Sequence, residues 1–219
     1  MIRKQGEISM KMINALDALD LEHTEDGYPI IKASKDIPMC LLPFDKAMRS
    51  KQYESYVHFY IEDYQFERIW NQPKKYISLL SKFKGIIMPD FSVYYDMPIH
   101  MKRWNIYRNK FIAAYMQKQG INVIPNIQIM DVDLWNDAIS GIETNGVIAV
   151  NCGGVKRRYF ARQMLNRQME YICSVINPIK VICYGSDSAI HNIDNAIYFK
   201  NNHIERIRNV QRNRIATKL

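Results

Sequence analysis

From Tyr56 onward the chain alternates short β-branched or aromatic runs with stretches of helical spacing, and this alternation limits the possible folds more than any other feature. The runs predict strands at 56–61, 86–88, 121–124, 147–150, 180–184 and 196–199, with helices at 64–70, 73–83, 97–119, 131–139 and 156–176. In the long helix, Met97, Met101, Trp104, Tyr107, Phe111 and Ala114 recur at helical steps and predict its buried stripe. Ala161, Leu165, Met169, Ile172 and Ile176 do the same for the last helix. Strands separated by helices need crossover connections, which makes the sheet parallel. The strands are continuous apolar runs, as expected where both faces are covered. The predicted fold is therefore α/β, with a mainly parallel sheet of five to six strands and covering helices. The sheet is either open and doubly wound or an incomplete barrel-like ring.

Three segments follow from the same pattern. Residues 1–43 form a peripheral N-terminal piece, with helical spacing over 8–21 and an apolar run at 39–42, flanked by Pro38 and Pro43, that reads as an edge strand. Residues 44–200 are the α/β core. Residues 201–219 are a basic tail.

Composition narrows the setting. With 219 residues, 47% of them hydrophobic, the chain is long enough to bury a core without staples. It has no apolar run of membrane-spanning length. Its start, Met-Ile-Arg-Lys, lacks the apolar stretch of a signal peptide, which predicts a cytoplasmic protein. Cys40, Cys152, Cys173 and Cys183 show no paired spacing, so reduced thiols are expected rather than a zinc site. The net charge is +8, and Arg206, Arg208, Arg212 and Arg214 in the tail form a candidate nucleic-acid arm.

In parallel α/β folds, ligands collect at the carboxyl ends of the strands. There the sequence places Glu62 and Asp63, then Pro89-Asp90-Phe91-Ser92, then Pro125-Asn126, then Asn151-Cys152-Gly153-Gly154, then Gly185-Ser186-Asp187. Asp90, Asn126 and Asn151 are the candidate catalytic side chains. Asp90 leads because it directly follows a buried strand. Strand-end carboxylates together with a substrate phosphate also suit magnesium.

The turn at 151–158 is the candidate anion site. Glycines let backbone N–H groups reach a ligand at a helix start. Lys156, Arg157 and Arg158 sit in the first helical turn, where the macrodipole disfavours cations unless an anion is bound. Gly153, Gly154, Lys156, Arg157, Arg158 and Ser186 are therefore the expected anion-binding residues. The turn matches neither a Walker loop nor a full dinucleotide fingerprint.

Several blocks resemble a known family. They are His58-Phe-Tyr60, Phe66-Glu-Arg-Ile-Trp70 with Asn71-x-Pro73, Pro89-Asp-Phe-Ser-Val-Tyr94, Asp96-Met-Pro98, Trp104-Asn-x-Tyr-Arg108 and Gly120-x-x-Val-Ile-Pro-Asn126. Val147-Ile-Ala-Val150 and Val181-Ile-Cys-Tyr-Gly185 extend the likeness. Together they resemble the domain-of-unknown-function family numbered 4417, over about residues 44–200. The resemblance implies a mobile-element protein of the phage, prophage or plasmid type, in the cytoplasm of a bacterial host. It carries no catalytic residue over.

Two functions stay open. One is an enzyme acting on a nucleotide or nucleic acid, with a phosphate site at the strand ends. The other is a non-catalytic protein that binds nucleic acid or inhibits a host defence protein. An enzyme predicts that the strand-end polar groups share one pocket, with perturbed carboxylates.

Overall fold

The computed structural model describes residues 15–153, 155, 159–185, 190 and 193–201. Eight strands form two four-stranded sheets, and every strand pairing is parallel. The first sheet contains β1 (Leu41–Pro43), β2 (Tyr56–His58), β3 (Gly85–Ile87) and β4 (Val123–Ile124). The second contains β5 (Asn126–Ile127), β6 (Val147–Asn151), β7 (Lys180–Gly185) and β8 (Ala196–Lys200). Within each sheet, spatial order follows chain order.

The α/β class with parallel pairing agrees with the sequence reading; the strand count and the sheet do not. The expected single sheet of five to six strands is two sheets of four. The apolar run at 39–42 does lead into a paired strand, β1. The strand expected at 121–124 is present as β4 and stops before Pro125, which has no N–H to give to a ladder, while a strand that was not expected, β5, begins just after it. β4 on one side of Pro125 pairs with β3, and β5 on the other side pairs with β6. Neither sheet shows the order reversal of a doubly wound sheet.

Helices occupy the crossovers from β1 to β4 and from β5 to β7, and one more precedes β1. They are α1 (Ala15–Leu19), α2 (Phe44–Ala47), α3 (Asp63–Asn71), α4 (Pro73–Leu80), α5 (Ile99–Lys118), α6 (Trp135–Ile139, entered through a 3-10 turn at Val132–Leu134) and α7 (Tyr159–Ile176). Pro73 opens α4 at a position whose N–H would be unpaired in any case. The main core holds Val57, Ile86, Val123, Ile148 and Val181 from the strands with Phe66, Phe111, Leu165 and Ile172 from the helices. A second buried cluster holds Tyr56, Ile87, Ile124, Val147, Ala149 and Ile182, with Leu41 and Ile197 against it, so both sheets contribute to it. Alternate residues of one strand thus enter different clusters, as the two-residue period of a strand requires. No helix among the described residues is long and apolar enough to cross a membrane.

The stripe expected on the long helix is correct only in its second half. Phe111 and Ala114 are buried, but Met101 is 53% exposed and Trp104 50% exposed. The buried residues toward the start of α5 are Lys102, Asn105, Ile106, Asn109 and Lys110. The reason is what this half of the helix covers. It lies on irregular backbone rather than on strands, and buried backbone groups need partners. Asn105 Nδ2 donates to the Ser92 carbonyl at 2.6 Å, and Lys102 Nζ to the Tyr95 carbonyl at 2.7 Å. Lys110 Nζ donates to the Asp137 and Ser140 carbonyls at the C-terminal end of α6.

Candidate functional site

The strands run parallel, so their carboxyl ends lie on one side of the molecule. A cavity of about 490 Å³ opens there. Tyr60, just past β2, lines it, as do Asp90 past β3, Gln128 past β5, and Asn151 and Gly153 at the end of β6. Glu62, Ser92 and Tyr94 complete its polar edge.

Asp90 lies at the centre of the polar network. Asn126 Nδ2 donates to its Oδ1 at 2.8 Å, and Asn151 Nδ2 to its Oδ2 at 3.2 Å. Each carboxamide is itself oriented. Tyr60 Oη donates to Asn126 Oδ1 at 2.8 Å, and the Gly153 N–H donates to Asn151 Oδ1 at 2.9 Å. Neither amide can turn over without giving up that second bond. Burial raises the Asp90 carboxyl above its usual range. Hydrogen bonds from Asn151, Asn126 and Gln128 pull it back in part, while the nearby Asp63 pushes it up.

The segment after β3 is held in place by side chains from three elements. Asp63, at the start of α3, accepts from the Ser92 N–H at 3.0 Å and from Ser92 Oγ at 2.9 Å. Asn109 of α5 accepts from the Phe91 N–H at 2.9 Å and donates to Gln128 Oε1 at 2.9 Å. Gln128 donates to the Phe91 carbonyl, and Gln168 of α7 donates to the Gln128 carbonyl at 2.8 Å. The Arg108 guanidinium lies 3.8 Å from the centroid of the Phe91 ring. Asp90 therefore sits on a backbone whose polar groups are satisfied from several directions.

Tyr60, which lines the cavity, stacks on Tyr184, and the His58 ring meets both at a tilt. The His58 ring is 4.6 Å from Tyr184 and 5.2 Å from Tyr60, and Tyr60 lies 4.8 Å from Tyr184. Burial lowers His58 to about 3, so it is neutral, and its Nδ1 accepts from the Tyr60 N–H at 3.2 Å. The Tyr60 phenol is raised well above its usual value by burial and stays protonated as a donor.

Of the candidate catalytic residues, Asp90, Asn126 and Asn151 come together in this network. Of the candidate anion-binding residues, Gly153 lines the cavity, with its N–H turned onto Asn151. Gly154, Lys156, Arg157, Arg158 and Ser186 lie outside the described residues, as do the tail arginines Arg206, Arg208, Arg212 and Arg214. Among the described residues, no three His, Cys, Asp or Glu side chains form a group able to hold a metal ion. Tyr60, Gln128 and Asn109 were not singled out in the sequence. Tyr60 could have been, because it follows Tyr56 and His58 at every second position and so shares their face. Asn105 and Asn109, one helical turn apart, are the corresponding signal on α5.

Sequence comparison adds the following. A family model described as a domain of unknown function (DUF4417) matches residues 23–202. The matched span includes Tyr28 and Ile31, both buried. The Gene 1 protein of Mycobacterium phage D29 is 27% identical over 129 residues, which cover 59% of this chain and 48% of that protein. The Gene 1 protein of Mycobacterium phage L5 is 26% identical over 129 residues, covering 59% of this chain and 56% of that protein. The chain spans about half the length of the curated relatives it matches. No solved structure matches it.

Proposed function

The chain belongs to the DUF4417 family, and from that premise we propose that it is a mobile-element enzyme that binds a nucleotide or a nucleic-acid end in the strand-end cavity. In this reading the two sheets act as one incomplete barrel-like ring, and the cavity is its mouth. Asp90 is the proton-transferring carboxyl. Asn126 and Asn151 orient it. The chain just beyond Gly153, with Gly154, Lys156, Arg157 and Arg158, takes the phosphate, helped by Ser186. A magnesium ion would arrive with that phosphate. The phage origin of the curated relatives supports the mobile-element setting.

One observation carries the reading. A carboxyl raised by burial faces a cavity of about 490 Å³ and is fixed by two amides from different strands. A carboxyl raised in this way at a pocket is suited to exchanging a proton with a bound ligand. The test is calorimetric titration of the chain with mononucleotides and short single strands, alongside product analysis. The expected result is saturable binding, with Asp90→Asn retaining the phosphate contact but losing turnover. Absence of binding by any nucleotide or strand would refute the proposal.

A second reading is favoured by exposed aromatic side chains on the segments that follow the strands. Tyr64, Tyr94, Tyr95, Tyr159 and Phe160 follow strands β2, β3 and β6 and are all exposed, Tyr95 at 87% and Phe160 at 81%. Exposed aromatics suit contact with a host protein or stacking on nucleic acid without catalysis. A binding partner that leaves product analysis blank, and that is lost in Tyr95→Ala and Phe160→Ala but kept in Asp90→Asn, would favour this alternative.

A further inference from the structure

We propose that the strand-end cavity selects its ligand through hydrogen-bond donors that the ligand supplies, and that among nucleotides this selects guanine. The choice of guanine rests on the nucleotide reading above; the donor requirement does not.

The cavity leaves acceptors rather than donors unpaired. Its donors are largely committed, apart from the exposed Tyr94 hydroxyl and the second N–H of Asn151. Tyr60 Oη is given to Asn126, Ser92 Oγ to Asp63 and the Gly153 N–H to Asn151. Asn126 and Asn151 each spend an N–H on Asp90, and Gln128 spends one on the Phe91 carbonyl. Acceptors remain. A carboxylate has about four acceptor positions. Asn126, Asn151 and Gln128 approach Asp90 and leave at least one open. Glu62 lines the same cavity, is exposed, and its carboxylate has no hydrogen-bond partner among the described residues. No lysine or arginine lines the cavity among the described residues. The described lining therefore offers two carboxylates and few free donors. Around these carboxylates it suits a group carrying N–H donors and disfavours one carrying carbonyl oxygens, so a base edge rather than a phosphate is expected there.

The edges of the nucleobases differ in this respect. Guanine presents a ring N–H next to an exocyclic amino group, two adjacent donors that two acceptors can share. Uracil flanks its ring N–H with carbonyl oxygens. Adenine and cytosine each place one amino group beside ring acceptors. The exposed Tyr94 at the cavity edge offers a flat face on which a base can stack.

The experiment is calorimetric titration of the full chain with GMP, IMP, XMP and UMP, and separately with arginine amide. GMP is expected to bind most tightly. IMP, which lacks the amino group, should bind about tenfold more weakly, the effect of removing one hydrogen bond to a charged acceptor. Asp90→Asn should weaken GMP and improve XMP, because a carboxamide N–H can meet the carbonyl that replaces the amino group. Glu62→Gln, at an exposed position, should weaken GMP without shifting the thermal midpoint. Equal binding of UMP and GMP, with the order unchanged in Asp90→Asn and Glu62→Gln, would overturn the donor requirement and leave the nucleotide reading standing. Binding of arginine amide with no nucleotide bound would overturn the nucleotide reading and guanine with it, while supporting the donor requirement. Absence of binding by every probe would overturn both.

Discussion

Asn126 Nδ2 meets Asp90 Oδ1 at 2.8 Å and so links the start of β5 to the segment after β3, two strands that do not pair with each other. The backbone ladder passes from β3 to β4 and, after Pro125, resumes from β5 to β6. At the break a side-chain contact takes over from backbone pairing. A Pro-Asn dipeptide can do this because proline ends one ladder while asparagine supplies both a donor and an acceptor. The donor goes to Asp90 and the acceptor to Tyr60.

Trp104 and Phe111 provide a direct comparison on one helix. Phe111 is fully buried, whereas Trp104 is 50% exposed and packs edge-on against Trp70 at 5.3 Å. Phe111→Ala should cost about 3–5 kcal/mol, as for a buried aromatic. Trp104→Ala should cost about 1–2 kcal/mol, from the loss of partial packing and two ring contacts, with Trp70 and Tyr107. Chemical denaturation of the two variants checks this. A loss at Trp104 as large as that at Phe111 would mean that the tryptophan is covered in solution.

Gly185 should resist substitution for two reasons. Its φ is +112°, which side-chain-bearing residues rarely adopt, and a Cβ there would lie 2.9 Å from the Gly153 backbone nitrogen. Gly27 shares a positive φ, +84°, but has open space around it. Gly27→Ala should therefore cost only backbone strain, about 1 kcal/mol, and Gly185→Ala clearly more. Gly185→Ala should also weaken ligand binding, because the displaced Gly153 holds Asn151. Equal thermal midpoints for the two variants would count against the close approach of the β6 and β7 ends.

Much of this arrangement was legible in the sequence, and what was not has physical causes. The strand starts at Tyr56, Val147 and Lys180 follow from apolar runs, because a strand covered on both faces has little alternative composition. Asp90, Asn126 and Asn151 were legible as strand-end residues, since parallel strands bring their carboxyl ends together. The break at Pro125 was not, because a proline beside a strand equally marks its end. The polar face of α5 was hidden for a different reason. Helical spacing shows which residues share a face, and apolar ones were assumed to face inward. Here Asn105, Asn109 and Lys110 face inward because the surface they cover is loop backbone.

Lys110 is the most deeply buried cation described, and burial lowers it to about 7. Its ordinary value is 10.5. The folded state thus holds fewer protons than the unfolded chain between these values, so folding stability should rise as pH increases from about 7 toward 10. Lys110→Met should remove that slope. It should also leave the Asp137 and Ser140 carbonyls without this donor, at a cost of about 1–3 kcal/mol each. Urea denaturation at several pH values measures both effects. A wild-type slope identical to that of Lys110→Met would show that the ammonium stays charged over two carbonyls and the Tyr28 ring.

Asp90 provides the corresponding test at the site, with the opposite sign. Burial raises its carboxyl above the ordinary value of 3.8, so the folded state holds a proton that the unfolded chain releases. Folding stability contributed by this group is present at low pH and is lost as pH climbs from 3.8 through the raised value. Other carboxylates titrate in the same range, so the informative quantity is the difference between the wild type and Asp90→Asn. Asparagine approximates the protonated acid in shape, having one acceptor and one donor end, and does not titrate. The stability of the wild type relative to Asp90→Asn should therefore decline with rising pH and then level off once Asp90 is ionised. The opposite trend, with the wild type gaining on the variant as pH rises, would mean that the hydrogen bonds from Asn126 and Asn151 outweigh burial. Asp90 would then be a fixed anion throughout. It could still accept donors from a ligand, but it could not pass a proton to one near neutral pH, and the enzymatic reading would have to give way to binding.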